Sequence, residues 1–162
     1  MADNAVIRIV YIFFLGLLTA VFIGVGINTF YEGPAEPTYP VPSVGKDKTD
    51  AEMQKEQDLY NKESQAYRGA QKVYNRNVSV IVLLLAVVLV VTSLQYEKRS
   101  HVIANGVMLG GLFTLVYGII RSFMSADSKY IFVAATVGLG LVVYLGYRRF
   151  AASGTPKPAA KK

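Results

Sequence analysis

Four apolar stretches, at residues 5–28, 78–94, 102–120 and 130–147, constrain this chain more than any other feature. A helix needs roughly 20 mostly apolar residues to cross a hydrocarbon core of about 30 Å. Each stretch is that long or nearly so, which predicts membrane helices over 1–30, 78–96, 102–121 and 130–148. The hydrophobic share of 52% falls in these blocks and is not spread through the chain, which argues against an ordinary soluble domain.

The first stretch carries a single charge, Arg8. A cleaved signal peptide would have a hydrophobic core of about 7–15 residues ending in an A-x-A-like site. Here the run is longer and is followed by Asn28-Thr29-Phe30-Tyr31, so an uncleaved first span is expected. Residues 31–48 then form a proline-rich linker with Pro34, Pro37, Pro40 and Pro42. Proline fixes φ and disfavours helix in the preceding residue, which predicts an extended strap.

Thr49-Asp50-Ala51-Glu52 fits a capping box, and the two acidic residues suit the positive end of a helix dipole. Residues 49–77 therefore read as an amphipathic extramembrane helix. Met53, Tyr60, Tyr67 and Tyr74 recur every seven residues, with Leu59 beside them, and the other positions are mostly polar or charged. No proline separates this helix from the second span at 78–96. One helix over 50–96 would be about 70 Å long at 1.5 Å per residue. Gly69 is its weak point, because an interior glycine costs about 1 kcal/mol relative to alanine.

The second span contains no glycine, whereas the third holds Gly106, Gly110, Gly111 and Gly118, and the fourth Gly138, Gly140 and Gly146. Small residues let membrane helices approach closely. Gly106, Gly110, Gly138 and Asn105 are thus the candidates for span packing, with spans one, three and four joined through glycines. The glycine-free second span is expected to face lipid or another subunit. The basic tail, 149–162, reads as disordered.

Positive residues beside short loops mark the cytoplasmic side. Arg8, Lys98, Arg99, Arg148, Arg149, Lys157, Lys161 and Lys162 share one side, with Asp3 and Glu97 as the acids. Both termini are accordingly predicted cytoplasmic, with residues 31–76 extracytoplasmic. A lysine-rich tail and the absence of cysteine suit a bacterial plasma membrane. The formal charge of +6 flanks the spans and forms no separate basic module, so nucleic acid is not an expected partner.

No span carries an ionisable residue near its middle, where a pump or transporter usually keeps one. His101, the sole histidine, lies in the same tight turn as Ser100 and Glu97, too close in sequence for an oriented catalytic relay. No cofactor or metal site is expected, since cysteine is absent and carboxylates do not cluster with the histidine. Taken together, the sequence predicts an all-α fold: a four-span integral membrane helix bundle with a long extramembrane extension of the second transmembrane helix. The expected function is non-enzymatic. Met53, Leu59, Tyr60, Tyr67 and Tyr74 are the candidate contacts with a protein partner or a second copy, beside the lipid bilayer itself. The stripe also suits packing on the chain's own strap or lying at headgroup depth. The alternative is a small oligomeric transporter, channel or lipid-handling protein with Asn105, Thr114 and Thr136 along its pathway.

Overall fold

A computed structural model describes residues 2–38 and 49–148. The later part of the strap, with Pro40 and Pro42, and the basic tail lie outside the described residues. The described chain is all-helical: α1 (Ala2–Phe30), α2 (Asp50–Tyr96), α3 (His101–Met124) and α4 (Ser128–Gly146). All four helices are long and apolar enough to cross a membrane.

Helix α2 begins at the predicted cap. The Thr49 backbone N–H donates to the Glu52 carboxylate at 3.1 Å, and the Glu52 N–H turns to the Thr49 carbonyl at 2.8 Å. From there the helix runs without interruption through Gly69 to Tyr96. Gly69 is exposed and a Cβ on it would meet nothing within 4 Å. Gly69→Ala should therefore stabilise α2 by about 0.5–1 kcal/mol through backbone entropy alone. Slower amide exchange over residues 60–75 would report the gain, and faster exchange would show that the glycine serves as a bend.

Helix α3 is the centre of the bundle, and α1, α2 and α4 all pack on it. Its glycines divide between two neighbours. A Cβ on Gly106 would meet the Leu15 side chain, and one on Gly110 would meet Thr19 and the Gly16 carbonyl, so that pair faces α1. Gly111 faces Val90, Leu89 and Ala86 of α2, and Gly118 faces Val82 and Leu83. On the α4 side the small residue comes from the partner: Gly138 lies under Leu115 and Ile119. The pairing order makes α1 and α3 parallel, and α2 and α4 antiparallel to α3.

The second span thus does not stand apart, as its lack of glycine suggested: one face packs on α3, while Leu84 and Val88 on the opposite face stay exposed. Val78, Val82, Ala86 and Val90, spaced one helical turn apart, are buried against α3. Close approach needs a small residue on only one of two helices, and α3 supplies it. Branched valines then fill the space that Gly111 and Gly118 leave, where dispersion contacts drive association. The Ser79 hydroxyl, fully buried, donates to the Gly118 carbonyl at 2.7 Å across the same seam. Helix α1 packs on α3 along one stripe and leaves the rest of its surface exposed. Gly16 packs on Leu109 and Gly110, yet Gly24 and Gly26 face no other helix, and Phe22 is 79% exposed.

Both short connections are tighter than the sequence predicts. Helix α3 continues past Arg121 to Met124, and α4 starts at Ser128, two residues earlier than expected. Ala126 takes a left-handed φ of 55°, and Asp127 caps α4 by accepting the N–H groups of Lys129 and Tyr130 at 3.1 and 3.3 Å. A left-handed alanine is uncommon, and the cap that follows immediately helps to offset it.

Candidate functional site

The most elaborate polar arrangement in the described chain is centred on Arg121, one turn before the end of α3. From this helix Tyr117 lies four residues earlier on the same face, and its hydroxyl accepts from Arg121 Nε at 3.0 Å. A terminal guanidinium nitrogen donates to Asn75 Oδ1 of α2 at 2.7 Å. The guanidinium carbon also lies over two rings, 5.5 Å from the Tyr117 centroid and 5.9 Å from that of Tyr74. Among the described residues no carboxylate pairs with this cation; aromatic faces and neutral oxygens surround it instead.

Helix α1 and the strap join the same cluster. Tyr31, directly after α1, stacks on Tyr74 with centroids 5.3 Å apart and ring planes within 8° of parallel. The Tyr74 hydroxyl donates to the Tyr31 carbonyl at 3.1 Å, and the Asn77 amide donates to the Tyr31 hydroxyl at 3.0 Å. Gly33 then lies against the Tyr74 ring. Below these groups Ile27, Val78 and Val82 form a buried apolar cluster with Tyr74. Three helices and the start of the strap are therefore tied at the level where α2 leaves the bundle. Four hydrogen bonds, one ring stack and two cation–π contacts join these groups. Chemically it is a brace.

Tyr74, the last residue of the heptad stripe, is consequently taken up inside the chain, at 8% exposure. It is withdrawn from the surface that the sequence reading offered to a partner, because Tyr31, Gly33 and Arg121 cover it. The remaining candidates lie beyond the bundle. Met53 and Leu59 are 49% and 60% exposed, and Tyr60 and Tyr67 are half-buried. Of the packing candidates, Gly106 and Gly110 face α1, Gly138 faces α3, and Asn105 lies at a crevice lined by α1, α3 and α4. Thr114 is buried and donates to the Gly110 carbonyl of its own helix, whereas Thr136 is exposed and donates to Phe132. His101 is exposed at the start of α3, and no group of metal-ligating side chains occurs among the described residues.

Sequence reasoning placed Arg121 at a span end and missed its partners. One local signal was present, the four-residue spacing of Tyr117 and Arg121 on a helix. Nothing local pointed to Asn75, which lies 46 residues away in the chain. Comparison with protein families, with curated proteins and with solved structures finds no match.

Proposed function

We propose that this protein is a non-enzymatic integral membrane subunit that presents the first half of α2 to a protein partner or to a second copy. The observation that carries the reading is the form of α2. Residues 50–73 continue a packed, membrane-length helix for about 35 Å at 1.5 Å per residue, and most of them are exposed, with Tyr60 and Tyr67 half-buried. A lone polar helix is only marginally stable in water. This one is held at its base by the Arg121 brace, which fixes its direction, and it carries Met53, Tyr60 and Tyr67 beyond the bundle. Tyrosine suits such contacts, since it adds large area with few rotatable bonds and a polar tip. In this reading both termini are cytoplasmic and the arm is extracytoplasmic, in a membrane such as the bacterial plasma membrane.

A photo-crosslinking residue at Tyr67 should give one discrete adduct in intact membranes, and the same residue at the exposed Gln65 should not. Tyr60→Ser combined with Met53→Ser should reduce the Tyr67 adduct several-fold while membrane insertion is unchanged. An adduct of undiminished yield in the double variant would sink the proposal. Since the chain contains no cysteine, a single cysteine at Ser64 also reads the orientation: an impermeant maleimide should label it from outside the cell.

A further inference from the structure

At the end of the bundle away from Arg121, helices α1, α3 and α4 border an open lateral groove of about 450 Å³. Leu109 and Leu112 of α3 face Val142 and Leu145 of α4 across it, and Ile12 of α1 closes one side. Gly146 forms part of the lining, and a Cβ there would meet nothing within 4 Å. A second hollow of about 540 Å³ adjoins the first through two shared residues, Ile12 and Asn105. Its character differs, because Arg8 and Asn4 of α1 line it together with Asn105. An almost wholly apolar slot therefore leads into a basin with a guanidinium and two side-chain amides.

We propose that this two-part groove binds an anionic phospholipid, with an acyl chain in the apolar slot and the phosphate held by Arg8, Asn4 and Asn105. The inference rests on the membrane placement argued above and is independent of the arm. Size and shape agree, since ligand clefts typically measure roughly 300–1,000 Å³ and are mostly apolar with a few polar groups that fix orientation. Charge selects the occupant. Arg8 is the only charged residue between positions 5 and 28. It lies one turn before Ile12, so it marks headgroup depth at the mouth of a slot that runs toward the bilayer interior. A guanidinium can bind phosphate through two parallel N–H bonds, which suits Arg8 to a phosphate at this depth. Around the same end, Lys98, Arg99 and Arg148 outnumber Glu97 among the described side chains, which favours a lipid of net negative charge over a zwitterionic one.

The test is lipid binding counted by native mass spectrometry on the full chain purified in neutral detergent. Phosphatidylglycerol and phosphatidylcholine of identical acyl chains are the probes. Phosphatidylglycerol should bind several-fold more tightly. Arg8→Gln should bring it down to the phosphatidylcholine level, and Gly146→Leu, whose side chain would enter open space in the slot, should weaken both lipids several-fold. Lys129→Gln removes one positive charge from the other end of the bundle and should leave the preference intact; unchanged helicity in all three variants shows that each is folded. Equal binding of the two lipids overturns the proposal, as does a preference that survives Arg8→Gln or is lost equally in Lys129→Gln. A lipid-free dimer disrupted by Gly146→Leu would give the slot to a second copy and overturn it too. Crosslinking at Tyr67 reads the arm separately, so failure here leaves that result standing, and failure there leaves this one.

Discussion

Arg121→Ala should destabilise the protein by about 2–4 kcal/mol, with hydrogen bonds to a charged group contributing roughly 1.5–3 and cation–π contacts roughly 0.5–2. Two effects add. The substitution removes the bonds to Asn75 and Tyr117 and the cation above two rings. It also strands Asn75, only 3% exposed, with an unsatisfied side-chain oxygen between helices. Arg121→Lys should recover only part of the loss, since an ammonium cannot reach Asn75 and Tyr117 through two separate nitrogens while lying flat over the aromatic faces. Denaturant unfolding in detergent micelles measures the order wild type, Lys, Ala. The damage should also be directional. Amide exchange should rise around residues 72–80, where α2 leaves the bundle, and remain near wild type at Gly106 and Gly110. An Ala variant as stable as wild type would show that the cluster is incidental and that packing below it holds the base of the arm.

The second large effect belongs to the seam between α1 and α3. Gly110→Val places a Cβ 2.8 Å from Thr19 Cβ and 3.2 Å from the Gly16 carbonyl oxygen. Neither atom can swing away, because one is backbone and the other is bonded directly to it. The helices must separate, and overpacking of this kind costs about 1–3 kcal/mol or more. Gly106→Ala should be milder. Its nearest neighbour, at 2.5 Å, is the Leu15 Cδ2 methyl, which can change rotamer, although the Leu15 Cβ at 3.1 Å sets a limit. Gly140→Val provides the control for β-branching, since a Cβ at Gly140 would meet nothing within 4 Å. A disulfide engineered between α1 and α3 should form less in Gly110→Val and normally in Gly140→Val, with unfolding midpoints in the same order. If Gly110→Val and Gly140→Val behaved alike, the close approach of these two parallel helices would be refuted.

The contrast between Gly110 and Gly140 shows where reading a sequence stops. Both are glycines in apolar stretches; the four-residue spacing from Gly106 marks Gly110 for packing but does not say against which helix. A glycine acquires meaning from the atom opposite it, and that atom belongs to another helix. Gly111 and Gly118 make the same point, since they admit the bulky valines of α2 and so reverse the expectation that a glycine-free span stands apart. Tyr74 and Tyr67 likewise look equivalent in the heptad stripe. One is buried under Tyr31 and Arg121, and the other remains on the arm.

What the sequence determined by itself was one-dimensional. Length and hydropathy set the four helices, because crossing a bilayer is a requirement on each segment alone. The start of α2 was equally legible, because a cap bonds to residues within a single turn, as Thr49 does to Glu52. Its unbroken course through Gly69 followed from the lack of any strong breaker. The tertiary structure alone decided that α3 is the centre, that α1 and α2 both pack on it, and that Arg121 meets Asn75 and Tyr74. The physical reason is that these outcomes depend on shape complementarity between faces distant in the chain. Inside a membrane the hydrophobic pattern that orients helices in water toward a core gives no such signal, since lipid tails are as apolar as the helices they surround.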